Sequence, residues 1–443
     1  MKLEAGRPPI SQNISPESSA LLVGTARRDI TPGRSIHLGS RNWPPTSTVY
    51  QRLEVSAMAI AHGDKKIVLV TADALYFGAE FSRVIRARAS AFGLAGDEIL
   101  LNASHSHGTP ALCTLDVLTP DKIDSRHLEL FIARTVETIG ESVARLRPAR
   151  LFLHESECDV AINKRLNGQM VPNPDGPVDR RVRLLVERSP AGELRSVLFL
   201  YACHTSDMND NAFGADIFGF ARTELGMLHP RAAILSAMGA GGDARVDHRD
   251  PSGIKFIWPK LDRLDETRAF GRRLAASAET ALAAKGTEVA GLIHSALREI
   301  RIPLDIPRSA EVARAMTSSS DCFQARWGHF MLEKHAQARP DFPTSLPYTI
   351  QALRIGPEFL IVGLDGEVFT EIGRAIERRL APLYTYVFGF SNSIAGYIPP
   401  AAEFPRGGYE IDIYYWWLAP APLAPAVEDV VVNGAVELAR SLM

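Results

Sequence analysis

Four apolar segments of the chain each end abruptly in a cluster of polar residues. They are short enough to be strands and occupy residues 98–102, 196–203, 232–238 and 359–364. Patterns typical of helices lie between them, and this alternation indicates an α/β fold. Because binding sites in open α/β sheets lie at the carboxyl ends of the strands, the four endings predict one shared site.

The polar clusters contain residue types that bind metals or move protons. His105 and His107 follow the first segment, His204 follows the second, and Asp243 and Glu367 follow the third and fourth. Side chains two residues apart on a strand point to the same face, so the first two histidines would lie together. Taken singly, each residue is more typical of a structural role, as a loop or interior histidine or as a carboxylate at the first turn of a helix.

The rest of the chain continues the same alternation. Apolar runs predict further strands at 67–71, 290–302 and 348–355. Two stretches rich in loop-forming residues are expected at 163–177 and 240–259. Amphipathic patterns predict helices at 80–91, 126–145, 217–228, 266–284, 369–380 and 425–442.

The composition of the 443-residue chain indicates a globular protein whose partner is a small molecule. Hydrophobic residues make up 46% of the chain and charged residues 23%, which is ample for a buried core. The 49 basic residues are balanced by 51 acidic ones, so no nucleic-acid partner is predicted. No apolar run reaches the length of about 18 residues that spans a bilayer, and we therefore expect no membrane insertion.

The first residues of the chain and its cysteines indicate where the protein is located in the cell. Residues 1–20 are polar and rich in proline and serine, which predicts a flexible N-terminal arm before a domain at 21–443. The arm lacks the apolar centre of a signal peptide. The four cysteines are scattered without a CxxC pair, so we expect reduced thiols and a cytoplasmic protein.

Several short motifs, in order along the chain, resemble one known family. The chain is similar in these segments to the neutral, non-lysosomal ceramidases, whose catalytic domain is a single large, multi-layered α/β domain. The resemblance therefore implies that fold for residues 21–443. The matching segments are VGTARRDITP at 23–32, LNASHSH at 101–107, YACHTS at 201–206, GAD at 214–216 with GFA at 219–221, QALRI at 351–355, GEVFT at 366–370, GR at 373–374, GY at 396–397 and YE at 409–410.

The resemblance implies a set of zinc ligands. Carried over residue by residue, the ligands of the family fall on His105, His204, Glu367 and Tyr397. Two imidazoles, a carboxylate and a phenolic oxygen suit Zn²⁺ and leave a position for water or substrate. The cofactor implied is therefore zinc, and a water that it activates would attack the carbonyl of the substrate.

The resemblance also implies which residues surround the metal. His107 and Tyr409 would stabilise the oxyanion that forms during attack. Arg165 resembles an arginine that the family places near the reaction centre. Asp216 and Asp243 would contact the ligands without binding the metal themselves. Asp216 would orient a ligand histidine.

One residue departs from the family pattern. Arg245 stands where the ceramidases have a serine at the reaction centre, and a guanidinium is always charged and is no nucleophile. Arginine is the usual partner of a carboxylate, so Arg165 and Arg245 predict a small polar or anionic substrate rather than a two-chain lipid. The alternative is that Arg245 forms a surface ion pair with Asp247 or Asp250. We also expect no C-terminal β-sandwich, a domain that ceramide-cleaving members usually carry.

Three functions are compatible with these residues. The first is a zinc amidohydrolase that acts on a C–N amide bond. The second is a zinc esterase or lactonase, because attack on an ester makes the same demands. The third is a non-catalytic relative that binds a ligand. The aromatic run at 414–418 is compatible with an acyl pocket, but it is more typical of a core or a subunit interface, so a homo-oligomer is plausible.

Overall fold

The computed structural model describes residues 21–40, 43–113 and 122–443. The predicted N-terminal arm at 1–20 lies outside these residues. The strands are β1 (Leu22–Asp29), β2 (Glu54–His62), β3 (Lys65–Ala72), β4 (Ile99–Ala103), β5 (Arg147–Pro148), β6 (Arg150–Glu157), β7 (Ala161–Leu166), β8 (Gln169–Asn173), β9 (Arg181–Arg188), β10 (Leu194–Tyr201), β11 (Ala233–Met238), β12 (Ala244–Val246), β13 (Thr287–Val289), β14 (Ile293–Pro303), β15 (Ser345–Ile355), β16 (Phe359–Leu364), β17 (Glu367–Val368), β18 (Tyr384–Phe388) and β19 (Tyr397–Ile398). The α-helices are α1 (Ala79–Ala89), α2 (Ser125–Ala144), α3 (Asp216–Leu228), α4 (Leu264–Ala283), α5 (Ala310–Met316), α6 (Cys322–His335), α7 (Thr370–Leu380), α8 (Tyr409–Asp412) and α9 (Val427–Arg440).

The strands form mixed sheets, which confirms the predicted α/β class. The three larger sheets have the orders β4-β3-β2-β1-β5, β11-β10-β9-β6-β13 and β14-β15-β16-β18. Each contains one parallel pair, and these are β3 with β4, β10 with β11, and β16 with β18. Two small sheets, β12-β7-β8 and β17-β19, lie beside the site described below.

The core is divided into layers between the sheets and their helices. Leu100, Leu198 and Ile361 come from three different sheets, yet they are fully buried in one apolar cluster. The sheets therefore face one another through apolar side chains, and their strands read as continuous apolar runs. Helices cover the other faces: α1 and α2 pack on the first sheet, α3 and α4 on the second, and α7 and α9 on the third.

The ends of the strands converge, as the sequence predicts. The Asn102 side chain at the end of β4 donates to the carbonyls of Met238, 3.1 Å, and Gly389, 2.7 Å. Its amide oxygen accepts from the Met238 N–H at 2.8 Å. A single buried amide thus joins the carboxyl ends of strands from all three larger sheets, and a buried polar group so fully bonded fixes their relative position.

One predicted loop differs from the observed structure, and several observed elements were not predicted. The expected loop at 163–177 contains the hairpin of β7 and β8, which turns at Asn167 and Gly168 with φ of 50° and 77°. Asn-Gly is a strong signal for such a turn. The polar residues of β7 lack the apolar pattern by which a strand is predicted. Strands β1, β2, β6 and β9 and helices α5 and α6 were not predicted either. None of the helices in the described parts of the chain is both long enough and apolar enough to cross a membrane.

Candidate metal and catalytic site

Three buried side chains from distant parts of the chain meet at the converging strand ends. His105 follows β4, His204 follows β10, and Glu367 opens β17. One ligand atom from each lies within 4.8 Å of the others, a spacing that one metal ion spans. The Glu367 Oε2 atom lies 2.9 Å from His204 Nε2 and 3.6 Å from His105 Nε2. The cluster therefore presents two nitrogens and a carboxylate toward one point.

Main-chain carbonyls hold both imidazoles in this orientation. The Nδ1 atom of His105 lies 3.1 Å from the Leu75 carbonyl. The Nδ1 atom of His204 lies 2.9 Å from the Gly241 carbonyl and 3.0 Å from that of Ala244. A carbonyl only accepts, so Nδ1 carries the proton in each ring and the Nε2 lone pair faces the cluster. This is the tautomer that a metal requires.

Glu367 is placed by the pairing of two very short strands. Glu367 and Val368 of β17 pair in parallel with Tyr397 and Ile398 of β19. The main chain of Gly242 packs against β17 so closely that a Cβ there would lie 2.2 Å from the Glu367 carbonyl oxygen. The carboxylate also accepts a hydrogen bond at 2.8 Å from the hydroxyl of Tyr76, a residue that the sequence did not single out.

The electrostatics of the cluster favour the protonation states of metal ligands. Burial lowers the pKa of His105 to about 3, although Glu367 opposes the shift. Burial also lowers the pKa of His204. Burial alone would raise the pKa of Glu367, but contacts with both histidines and with Lys164 lower it to about 2. Near neutral pH the cluster thus holds two neutral imidazoles and one carboxylate, which is the set that binds a cation.

Tyr397 lies at the edge of the cluster. Its ring is nearly parallel to that of His204, with centroids 6.3 Å apart. Its hydroxyl and His204 Nε2 share one neighbour, the ammonium of Lys164, at 3.3 and 3.2 Å. The hydroxyl is therefore close to the three-residue cluster, as a fourth ligand would need to be. Burial, followed by the charge of Glu367, raises the pKa of Tyr397 well above its usual range.

Lys164 is a second residue of the site, after Tyr76, that sequence reasoning missed. The side chain is buried, and besides the two contacts above its ammonium lies 3.6 Å from Glu410 Oε1 and 4.9 Å from the centre of the Tyr397 ring. Burial lowers the pKa of Lys164, although the carboxylates of Glu410 and Glu367 oppose the shift. The only signal in the sequence was the polar triplet Asn163-Lys164-Arg165 after three apolar residues.

The resemblance placed Arg165 near the reaction centre. In the structure its guanidinium is held by two carboxylates and one carbonyl. Its guanidinium pairs with Glu410 through Nη1 and with Glu403 through Nε at 3.2 Å. It also donates to the Gly407 carbonyl at 2.8 Å. All of these partners belong to the segment 403–410. The structure thus places Arg165 as the anchor of that segment, while the preceding Lys164 contacts the cluster.

His107 and Tyr409 each lie next to a predicted ligand. The Nε2 atom of His107 lies 3.4 Å from that of His105, and the two rings are perpendicular. The N–H of His107 donates to the Thr205 carbonyl at 3.2 Å, which ties together the loops that carry the two ligand histidines. Tyr409 is 39% exposed, and its ring centre lies 6.0 Å from that of Tyr397, so it stands where the site opens to solvent.

Arg245 is buried, so the alternative of a surface ion pair is wrong. Its main chain bridges to that of His204, and its guanidinium lies 4.4 Å from the ring centres of both Phe256 and Trp258. The carboxylate of Asp247 pairs instead with Arg249. Contact with two aromatic faces holds a guanidinium in place. The charge of Arg245 also contributes to lowering the pKa of Lys164, so the two cations are within electrostatic reach.

The Asp216 carboxylate bonds to main-chain N–H groups, whereas the Nδ1 atoms of the ligand histidines bond to carbonyls. Its carboxylate accepts from the main-chain N–H groups of Met208 at 3.0 Å and Ile217 at 2.7 Å. Burial, followed by the charge of Asp207, raises the pKa of Asp216 to about 7. Carbonyls rather than this carboxylate orient the imidazoles, which differs from the expectation that Asp216 would do so.

Asp243 links the elements that carry Lys164 and Glu367. Its carboxylate accepts from the N–H and the hydroxyl of Thr370, both at 2.8 Å, and from the Asn163 amide at 2.9 Å. Its carbonyl accepts from the Lys164 N–H at 2.8 Å. The residue thus fixes the hairpin strand β7 against the start of α7, immediately after Glu367.

Comparison with protein-family models and with curated proteins finds no match. Solved structures that are similar over almost the whole chain include two ceramidases. The neutral ceramidase from Pseudomonas aeruginosa has a TM-score of 0.74 at 20% identity, with 96% of this chain and 75% of that chain covered. The chain has a neutral ceramidase-like fold. A ceramidase complexed with C2 gives the same TM-score and coverage at 19% identity. The neutral ceramidase-like fold suggested by the sequence motifs is thereby confirmed.

Proposed function

We propose that the chain is a zinc-dependent hydrolase in which a water molecule attacks the amide carbonyl of a small polar or anionic substrate. The observation that carries the proposal is the meeting of His105, His204 and Glu367 around one point. A neutral ceramidase shares this fold, and no other cluster of this composition is found among the described residues.

The donor set fits zinc. Two neutral imidazole nitrogens and a carboxylate oxygen, with the Tyr397 hydroxyl beside them, match the ligand types of catalytic zinc sites. When bound there, zinc would supply a Lewis acid and would lower the pKa of a water molecule to about 7. His105, His204, Glu367 and Tyr397 would hold it.

The residues around the cluster would stabilise the negative charge that develops on the carbonyl oxygen. Because the Nε2 lone pair of His204 would be occupied by the metal, Lys164 would no longer donate to it. Its ammonium would then have a proton to offer to the substrate oxygen. His107, at 3.4 Å from His105, and Tyr409, at the mouth, are the other donors within reach. One such donor typically contributes about 10²–10³ in rate.

A preference for polar or anionic substrates is supported by two cations, Lys164 and Arg245. The charge of Arg165 is balanced by Glu403 and Glu410, so it adds little to this preference. The guanidinium of Arg245 lies 4.4 Å from the ring centre of Phe256, next to the His204 main chain. A buried cation of this kind favours a carboxylate-bearing substrate over the neutral ceramide.

Two other functions are compatible with the same residues. A zinc esterase or lactonase would use the same residues, because the attack and the oxyanion are alike. A non-catalytic, ligand-binding relative agrees with the loss of the serine at position 245. The convergence of three buried ligand atoms from distant parts of the chain opposes it, because such a cluster is the arrangement that a metal ion needs.

The deciding experiment combines metal analysis with a substrate panel. The purified chain is expected to hold close to one zinc per molecule and to hydrolyse short N-acyl amino acids in preference to sugar-acid lactones. Chelator should abolish hydrolysis and zinc should restore it. Preferred turnover of lactones would favour the second function, and a chain that binds no zinc and is indifferent to chelator would exclude the first two.

A further inference from the structure

The two oxygens of the Glu367 carboxylate have different partners. Its Oε2 atom lies 2.9 Å from His204 Nε2 and 3.6 Å from His105 Nε2, so this oxygen faces the metal cluster. Its Oε1 atom accepts a hydrogen bond from the hydroxyl of Tyr76 at 2.8 Å. The side chain is buried, so solvent contributes little to either oxygen. One oxygen of the carboxylate therefore serves the cluster, and the other is engaged by the tyrosine.

Tyr76 is held in place from both sides along the chain. Before it, the carboxylate of Asp73 pairs with the guanidinium of Arg222 through two hydrogen bonds. After it, the ring of Phe77 is fully buried, and its centre lies 5.7 Å from that of Phe131. Because both neighbours are anchored in a close-packed interior, the short segment between them has little freedom to move. The Tyr76 hydroxyl is therefore presented to Glu367 in one position.

The same segment also supports a second predicted ligand. The Leu75 carbonyl lies 3.1 Å from His105 Nδ1, and the ring centre of Tyr76 lies 5.0 Å from that of His105. Two neighbouring residues that follow β3 thus contact both a histidine and the carboxylate of the cluster. The ring of Tyr76 contacts His105, whereas its hydroxyl contacts Glu367, so substitution can separate the two contacts.

The hydroxyl of Tyr76 bears on how many oxygens Glu367 can offer to a metal. A carboxylate binds a cation through one oxygen or through both. While Oε1 accepts from the tyrosine, Oε2 alone is directed at the cluster. Without this donor, Oε1 would be a buried acceptor that has lost its hydrogen bond, which is unfavourable. A cation bound to the same carboxylate would then satisfy it.

We infer that Tyr76 is a positioning residue that restricts Glu367 to one metal-binding oxygen and so keeps a coordination position open for water or substrate. The inference rests on the proposed function, because it concerns the metal that this function requires. A catalytic zinc site needs such an open position. If Glu367 bound the metal through both oxygens, its second oxygen would compete for that position. Tyr76 would thus control the reactivity of the metal without being a ligand.

The test uses the full chain loaded with Co²⁺ and titrated with azide, a small anion that binds an open metal position. The visible absorption of cobalt reports both the number of its ligands and the binding of azide. Tyr76→Phe removes the hydroxyl and keeps the ring next to His105. We expect this variant to bind azide at least about tenfold more weakly than the parent. Cobalt itself should bind no less tightly, because the second carboxylate oxygen replaces the lost hydrogen bond.

Two further variants show whether the effect belongs to this hydroxyl. Tyr76→Leu removes the ring as well, and it should weaken cobalt binding by about 10–100-fold because the support of His105 is lost. The matched control is Tyr384→Phe, which removes the hydroxyl of a tyrosine that is 47% exposed. This control should bind cobalt and azide as the parent does.

The outcomes separate this inference from the proposed function. Unchanged azide affinity in Tyr76→Phe, or cobalt and azide affinities that fall together, would overturn the role of Tyr76. A metal-loaded parent that binds no azide would likewise overturn it. These measurements require no turnover. A chain in which Tyr76→Phe loses azide affinity alone, but which hydrolyses nothing when loaded with zinc, would refute the hydrolase and leave the role of Tyr76 standing. A parent chain that binds neither metal would overturn both.

Discussion

Glu367 and Tyr397 are direct partners in the parallel pair of β17 and β19, and the Glu367 N–H donates to the Gly396 carbonyl at 2.8 Å. Two of the four predicted zinc ligands are therefore fixed to each other by the main chain. The position of the carboxylate relative to the phenol does not depend on a metal, which makes the site preorganised on this side.

Removal of a ligand should abolish zinc binding without unfolding the chain. We expect His204→Ala to lower zinc affinity by at least about 100-fold, since even the partners of ligands contribute 10–100-fold. Competition with a chelator of known affinity measures this. The control is His294→Ala, an exposed histidine on β14, which should bind zinc as the parent does. Unchanged affinity in His204→Ala would rule out the cluster as the zinc site.

Lys164 should act on the rate of the reaction rather than on metal content. Lys164→Met removes the ammonium with little change in length, and we expect kcat to fall by about 10²–10³. Zinc content should stay the same. Lys285→Met, at an exposed position, is the control. If kcat were preserved and only KM rose, the ammonium would bind the ground state of the substrate and would not stabilise the oxyanion.

Arg245 should control substrate charge. Arg245→Ser is expected to raise KM for N-acyl amino acids about tenfold or more, with a much smaller effect on the matching N-acyl amines, which lack a carboxylate. Arg245→Lys should recover part of the preference, because the charge remains but the planar fork is lost. A serine variant with full activity and the same preference for anionic substrates contradicts the proposed role.

The close approach of Gly242 to β17 should make this glycine indispensable. A methyl group there would meet the Glu367 carbonyl at 2.2 Å and would push the ligand strand aside. We expect Gly242→Ala to lower both the melting temperature and zinc affinity. Gly226→Ala is a sharp control, because nothing lies within 4 Å of its Cβ and alanine is favoured by about 1 kcal/mol within a helix such as α3. Equal melting temperatures for the two variants would contradict this reading.

Stability should fall in mild acid because of His127, which lies in α2. Burial, opposed by Asp124, lowers the pKa of His127 to about 4. The unfolded chain therefore binds a proton below about pH 6.5 that the folded chain refuses, so stability is lost as the pH falls from about 6.5 to 4. The loss is roughly 3 kcal/mol at its largest. In urea unfolding at pH 7.5, 5.5 and 4.5, His127→Leu should show a weaker dependence on pH than the parent or the exposed control His294→Leu.

The sequence predicted the fold and the three-residue metal cluster better than it predicted the residues that surround the cluster. Apolar strands that end in His105, His204 and Glu367 could be read directly, because the sheet interiors are uniformly apolar and the change at their ends is abrupt. Strand β7 was taken for a loop because its residues Lys164 and Arg165 are polar, and they are buried only because Glu403 and Glu410 meet them.

Contacts between distant residues account for the other differences. The hydroxyl of Tyr76 reaches Glu367 across the fold, and no local pattern marks it. The expectation for Asp216 came from motif order alone, whereas the imidazoles bond to the carbonyls of Leu75, Gly241 and Ala244. Main-chain acceptors carry no residue type, so the sequence holds no signal for them.

The neighbours Lys164 and Arg165 on one short strand have a consequence for how this protein can change. The first contacts His204 and Tyr397, and the second pairs with Glu410. A shift of this strand would therefore displace the surroundings of the metal cluster and the segment 403–410 together. Variation of this protein should accordingly spare the hairpin, because a change at either residue disturbs both regions.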